Sequence, residues 1–408
     1  MVLATIHPSD SCGTLVSLDN GSKPLLHESD FCHGCSPSSV VAYRQTALKL
    51  ASDDSGLDLS SASSSSSSSS MDNSYSFCSC EQQQQPEKVL FLPAAQSDTP
   101  VDEFLPSVPE LRDSRDELLA VDPVQFHKAS SEKLLYVHQG EVAHALASQC
   151  DILVSDRATT CHILALRSVG DKPAMTSLTH IDSDQYETCI RAMIQEHKLH
   201  HSSKEAITME INIVGGFADE EGHSQKISNW LLHLLADIAE EETDSIEMRL
   251  KTCAISSMND SGFQCPIGRG LAIHLATGQV FLAKASSAVA GPHMILRNAR
   301  LWSSTEEEHP ASKLTVIHTA KSNEIVIEPF AFAAIPGMDR LMALPDDILL
   351  EYTSTSPCAE EDDFCPTVRS TLRFLLEVPH ANVFGRLCDR TLRFVRRCHN
   401  SNEWMLVA

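Results

Sequence analysis

Eight consecutive serines, Ser63 to Ser70, divide this chain. They stand within a first 80 residues that hold 23 serines, and four glutamines, Gln82 to Gln85, follow them. Such a segment buries too little apolar surface to offset the entropy of ordering it, so residues 1–87 are expected to be a disordered tail. The 408-residue length alone would allow two or three domains of ~100–200 residues. With the tail set aside, one folded domain of residues 88–408 is expected, large enough for a sizeable core.

Charge narrows the class. Lys and Arg number 31 against 55 Asp and Glu, a formal net charge of -24. The acidity is not confined to the tail, because residues 131–408 hold 37 of the acids and 24 of the bases. A phosphate-backbone binder needs clustered cations, so nucleic acid is not an expected partner. No stretch approaches the ~18 uninterrupted apolar residues of a membrane-spanning helix, so no membrane partner is expected either. The opening Met1-Val-Leu-Ala-Thr-Ile-His-Pro8 has no basic n-region, which argues against a secretory signal. Eight acids against three bases before Glu81 argue against a mitochondrial presequence. Fourteen scattered cysteines without a secretory signal then read as reduced intracellular thiols, and a cytoplasmic or nuclear location follows. Low aromatic content and the heavy negative charge favour a monomer.

Patterning becomes regular near Lys133, after a transitional, Pro-punctuated stretch opened by Val89-Leu-Phe-Leu92. Strands are expected at 134–137, 151–155, 161–167 and 174–181. The strongest strand signal is 207–214, where Ile207, Met209, Ile211 and Ile213 alternate with polar residues. Further strands are expected at 246–255, 314–318, 324–332 and 404–407, with a hairpin of 271–275 and 279–283 about Ala276-Thr-Gly278. Apolar residues at helical spacing predict helices over 184–199, capped by Ser183 or Asp184, and over 224–239, where Ile227, Trp230, Leu231, Leu234, Leu235 and Ile238 form the stripe. Two more helices are expected at 346–352 and 367–377. Many strands with intervening helices, without strict alternation, point to an α+β fold, a layered α-β-β sandwich with mixed or antiparallel sheets.

Candidate chemistry is sparse. Cys32-His-Gly-Cys35 and Cys78-Ser-Cys80 have metal-ligand spacing, but the poly-Ser tract separates them and no apolar packing surrounds them, so no metal and no cofactor are expected. Gly215-Gly216 after a strand lacks the Lys-Ser/Thr and third Gly of a phosphate loop and reads as a tight turn. There remains Cys161, which begins one expected strand, and His180, which ends the next. If those strands are adjacent and antiparallel, joined by the turn at Gly170-Asp-Lys-Pro173, their ends meet and set a thiol beside an imidazole. His162, adjacent to the cysteine on the same strand, should face away. A buried thiol and a satisfied core histidine remain the alternative to a reactive pair.

The residues around this pair carry a resemblance. Leu134-Leu-Tyr-Val-His-Gln-Gly-Glu141, Ser155-Asp156, Ala158-Thr-Thr-Cys-His-Ile163, Leu178-Thr-His180 with Asp182, and Val214-Gly-Gly-Phe-Ala-Asp219 resemble the protein N-terminal asparagine amidohydrolase family, in order. So do Ser354-Thr-Ser-Pro357 and Arg369-Ser-Thr-Leu372, so that the resemblance spans residues 134–385. The family is similar in turn to bacterial chemotaxis glutamine deamidases. The stretch between Cys161 and His180 looks slightly longer here, as a turn insertion would make it. Residues 1–87 look like an extension beyond the family pattern.

The resemblance implies hydrolysis of the side-chain amide of an N-terminal Asn to Asp and ammonia, feeding the ubiquitin-dependent N-degron pathway. Protein or peptide substrates with a free N-terminal Asn would be the partners. Cys161 would be the nucleophile and His180 its base and later acid, with the backbone around Thr160 and Cys161 as oxyanion donors. Ser155 matches a hydroxyl position in the related deamidases and would orient His180 or the amide. The substrate ammonium needs a carboxylate partner in a dry pocket, and Asp156, Asp182 and Glu141 are the candidates, the first two ranked ahead. Two other functions compete with this one: deamidation of internal Gln or Asn, and a catalytically silent regulatory module whose Ser-rich tail binds partners.

Overall fold

The computed structural model describes residues 90–91, 101–201, 207–262, 265–302, 313–334, 336–398 and 401–407. The expected disordered tail and the Cys32/Cys35 and Cys78/Cys80 pairs lie outside the described residues. A two-residue strand β1 (Leu90–Phe91) is followed by helices α1 (Val101–Ser107) and α2 (Pro109–Leu119). Six strands come next: β2 (Val124–Phe126), β3 (Leu134–Tyr136), β4 (Glu141–Leu146), β5 (Ile152–Ala158), β6 (His162–Val169) and β7 (Met175–Ile181). Helix α3 (Glu187–His201), strand β8 (Ile207–Gly215), helix α4 (His223–Glu241) and strand β9 (Ile246–Ile255) alternate. The hairpin β10 (Arg269–His274) and β11 (Val280–Ala285) leads to helix α5 (Met294–Trp302) and strands β12 (Thr315–His318) and β13 (Glu324–Ile327). Helices α6 (Met338–Met342), α7 (Asp346–Thr353), α8 (Phe364–Glu377) and α9 (His380–Phe384) precede the closing strands β14 (Leu392–Arg396) and β15 (Trp404–Leu406).

The strands form three sheets, ordered β1-β9-β8-β6-β7-β4-β12, β2-β11-β10-β5-β3 and β13-β14-β15. Both larger sheets are mixed. In the first, β6 pairs antiparallel with β7 and β8, while β8 and β9 run parallel. In the second, β5 pairs antiparallel with β10 and parallel with β3.

Side-chain alternation builds the layers. On one face of the first sheet Leu164, Leu166, Ile211, Ile213 and Leu250 pack against Ile190, Met193 and Ile194 of α3 and Ile227, Leu231 and Leu235 of α4. The other face, with Ile163, Ala165, Leu178 and Val214, packs against Leu153, Leu271 and Ile273 of the second sheet. The result is an α-β-β sandwich within an α+β fold, as the sequence pattern implied. Two successive residues of β6 or β5 therefore look into different layers.

Several elements differ from the sequence expectation. Helices α1 and α2 occupy a stretch read as merely transitional; Pro109 sits at the start of α2, where its missing N–H costs no helical hydrogen bond. Strand β4 was unmarked because Ala143 and Ala145 are weak strand formers, yet it is buried between β7 and β12. The strand expected over 324–332 stops at Ile327, ahead of Pro329, which has no N–H for a ladder. Helix α3 begins at Glu187, while the Ser183 hydroxyl accepts the Gln185 N–H one turn earlier. The thiols read as uniformly free are not: Cys265 and Cys358 form a disulfide, their Cα atoms lying 6.0 Å apart.

Candidate active site

The register of two strands assembles the site. His162 pairs with Ile181 and Ile163 with His180, so Cys161, one residue before β6, falls opposite Asp182, one residue past β7. Cys161 shares the face of Ile163 by alternation, and that face also carries Leu178, His180 and Asp182. It is the face between the sheets, and the half-buried Cys161 packs against the core there. His162 looks the other way, its Nε2 lying 2.6 Å from Ser228 Oγ of α4, and burial holds its pKa down at about 3.

The second sheet supplies a hydroxyl from across the layer. Ser155 of β5 is buried with Oγ 2.9 Å from His180 Nδ1. Asp182 is held by two donors, Gln139 Nε2 at 2.8 Å from Oδ2 and the Tyr186 hydroxyl on Oδ1. Gln139 is itself fixed by a bridge to His180, and Gly140 N–H donates to the His180 carbonyl at 3.0 Å. The imidazole and the carboxylate thus move as one unit with the end of β7.

The backbone of the cysteine is equally constrained. Gly216 N–H donates to the Cys161 carbonyl at 2.7 Å, and Ser224 Oγ donates to the Thr160 carbonyl at 2.8 Å. Gly215-Gly216 does more than turn the chain: both residues have positive φ, and a Cβ at Gly215 would stand 2.4 Å from the Cys161 carbonyl oxygen. Asn259 Nδ2 ties this glycine pair down through the carbonyls of Gly215, at 3.0 Å, and Gly216, at 2.9 Å. Thr160 Oγ1 lies 3.2 Å from Thr355 Oγ1 on the far side and 4.0 Å from Cys161 Sγ.

Electrostatics set the resting protonation. Burial pushes the Cys161 thiol well up and the Asp182 carboxylate adds to it, so the sulfur carries its proton. Burial, then the neighbouring His138, lowers His180 to about 4 against the opposing pull of Asp182 and Glu141. Thiol and imidazole are both neutral at pH 7, and no hydrogen bond joins them.

The three candidate acids separate sharply. Asp182 stands beside the cysteine. Asp156 follows Ser155 on β5 and so points through the opposite face, where Tyr136 Oη at 2.8 Å and Ala285 N–H at 2.7 Å occupy its two oxygens. Glu141 is fully buried against Arg297 Nε at 2.9 Å and Arg300 at 3.2 Å, with His138 N–H at 3.0 Å. Burial alone would raise its carboxyl, but Arg297, then Arg300, hold it at about 2. The structure therefore brings Cys161, His180, Ser155, Thr160 and Asp182 together and leaves Asp156 and Glu141 in structural networks. Gln139, Ser224 and Asn259 support the site through partners distant in the chain, and Tyr186 supports it through Asp182, four residues before it.

The family model described as protein N-terminal asparagine amidohydrolase matches residues 124–405. The Sus scrofa protein N-terminal asparagine amidohydrolase is 32% identical over 273 residues, 65% of this chain and 81% of the relative. The Mus musculus protein of the same name is 31% identical over 272 residues, 65% and 82% of the two chains. The Arabidopsis thaliana one is 26% identical over 275 residues, 64% and 78%. The match starts beyond the Ser-rich segment and runs through both sheets that meet at Cys161, and on that extent the chain belongs to the protein N-terminal asparagine amidohydrolase family.

Proposed function

We propose that this chain hydrolyses the side-chain amide of an N-terminal Asn in protein substrates, releasing ammonia and leaving N-terminal Asp. The observation that carries the reading is the convergence of Cys161, His180 and Asp182 on one face at the joined ends of β6 and β7, in a chain of this family.

A neutral pair has a defined order of steps. If His180 Nδ1–H donates to Ser155 Oγ, Nε2 is left as the base. Nε2 takes the Cys161 proton as the sulfur adds to the amide carbon. The Thr160 and Cys161 amides, which donate to no other group among the described residues, receive the oxyanion. His180 returns the proton to the departing nitrogen, the C–N bond breaks, and ammonia leaves a thioester. Water, deprotonated by His180, adds to that carbon; the C–S bond breaks and the sulfur recovers its proton. The new N-terminal Asp would feed the N-degron pathway.

Asp182 gives the substrate ammonium its partner. It also makes the ammonium an activator. The carboxylate that raises the thiol is neutralised when a cation docks on it, so the thiolate becomes accessible when a free N-terminus is bound. The net charge of -24 draws cationic termini toward the cleft, an effect that fades with salt.

Mass spectrometry of an Asn peptide with free or acetylated terminus is the test. A gain of about 1 Da on the free peptide alone, lost in Cys161→Ala, is expected, since Ala supplies no nucleophile. Equal conversion of internal residues would replace this reading by general deamidation, and no conversion of either peptide would refute it.

A further inference from the structure

The disulfide joins two segments that reach the nucleophile from opposite sides. Cys358 lies in the 3-10 turn Pro357–Ala359, three residues after Thr355, whose hydroxyl touches that of Thr160. Cys265 closes the turn that follows Asn259, with Ser261 N–H on the Cys265 carbonyl at 2.9 Å and Ile267 N–H on the Asn259 carbonyl at 2.6 Å. Asn259 in turn holds the Gly215-Gly216 pair against the Cys161 carbonyl. One bond between residues 93 apart thus ties together both walls beside Cys161.

Exposed ion pairs also join the outer wall to the second sheet, and Cys365 and Val368 just beyond it pack in the core that Ala158 and Leu271 share. Arg157 pairs with Glu361 at 3.1 Å and Asp363 at 2.9 Å, and Lys284 with Glu361 at 2.8 Å, all with exposed side chains. Exposed ion pairs are weak and screened by salt. The bond does not seal the cleft, because Cys161 keeps partial exposure with it in place. Its effect is to preorganise a wall.

We infer that Cys265–Cys358 is a thiol–disulfide site through which glutathione-class thiols set the affinity of the neighbouring cleft, the bonded form being the tighter binder. The inference rests on the reading of Cys161 as nucleophile. In the exchange, a glutathione thiolate attacks one sulfur of the pair, the other leaves as thiolate and takes a proton, and a second glutathione resolves the mixed disulfide. Two electrons pass to the protein, which gains two thiols, and one glutathione disulfide is made. In a compartment held reducing, bonds of this kind are transient and regulatory rather than structural.

The full chain is equilibrated in glutathione buffers from reducing to oxidising, and the bond is scored by peptide mapping without reductant. On each form two quantities are measured: KM for an Asn peptide and the rate of Cys161 alkylation by iodoacetamide. We expect the bond to form within the range, with KM at least threefold lower and alkylation at least twofold slower in the bonded form. The double variant Cys265→Ser/Cys358→Ser should show the reduced-form values in every buffer. Failure of the bond to form, equal KM and alkylation in the two forms, or a redox response that survives in the double variant would each overturn the inference. Absence of turnover in both forms would refute the amidohydrolase reading; the inference is then judged on the Kd of the Asn peptide by calorimetry, expected at least threefold lower in the bonded form and overturned if equal.

Discussion

Replacing Asp182 by Asn removes a charge and almost no volume, which makes it the sharpest probe of the site. The carboxylate accepts from Gln139 Nε2 and from the Tyr186 hydroxyl. The Asn oxygen can still accept from Tyr186, and the Gln139 amide can turn to accept from the new NH2, so the fold should survive. What is lost is a charge-assisted bond to the substrate ammonium, worth about 1.5–3 kcal/mol. At 1.4 kcal/mol per decade, this corresponds to a fall in kcat/KM of roughly 10- to 150-fold for a peptide with a free terminus. A peptide with an acetylated terminus never made the bond, and its slow background turnover should not fall. The same change takes a negative charge from beside Cys161 Sγ, so the pH at which iodoacetamide alkylation reaches half its maximum should drop. Ammonia release from the two peptides and alkylation profiles of the two proteins check each part. Equal losses on both peptides, or an unmoved alkylation profile, would refute the assignment of Asp182 as anchor and as the charge that restrains the thiol.

Three further outcomes rest on the same geometry. Glu141→Gln leaves Arg297 buried without its counter-ion and should lower the unfolding free energy by about 3–5 kcal/mol; urea unfolding tests it, and a change under about 1 kcal/mol would contradict the structural role. Ser155→Ala orphans the His180 Nδ1 hydrogen at a cost of about 1–3 kcal/mol, seen as a fall in kcat of roughly 5- to 150-fold with KM nearly unchanged; Ser155→Thr, which keeps a hydroxyl, should recover part of it. Burial depresses His138 and His144 to about 4 and His162 to about 3, so the unfolded chain binds protons first as pH falls. Stability should accordingly be fully present above about pH 6.5 and decline toward pH 4, each such histidine contributing a slope of up to about 1.4 kcal/mol per pH unit, and flat urea midpoints from pH 7 to 5 would contradict this.

Local chemistry made much of this molecule legible in the sequence. The alternation through Ile207 to Ile213 marked the face buried against α3 and α4, and the stripe from Ile227 to Ile238 marked the helix that covers it. The turn between Val169 and Met175 is short enough to force β6 and β7 into an antiparallel pair, so the placing of Cys161 and His180 at the same joined ends was readable from the chain. Element strength was misjudged where burial overrides propensity, as in Ala-rich β4 and in the helices flanking Pro109.

The chain alone set Asp156 level with Asp182 and ahead of Glu141, because the partners that separate these acids lie far from them in sequence. Asp156 is occupied by Tyr136 and Ala285, and Glu141 by Arg297 and Arg300, up to 159 residues distant. The pairing of Cys265 with Cys358 was invisible for the same reason. Sequence determined the features that neighbours along the chain impose on one another: periodicity, turns and the strand ends that carry the thiol and imidazole. Tertiary structure decided which face meets which, and therefore which carboxylate stands beside the sulfur and which charges are spent holding the core.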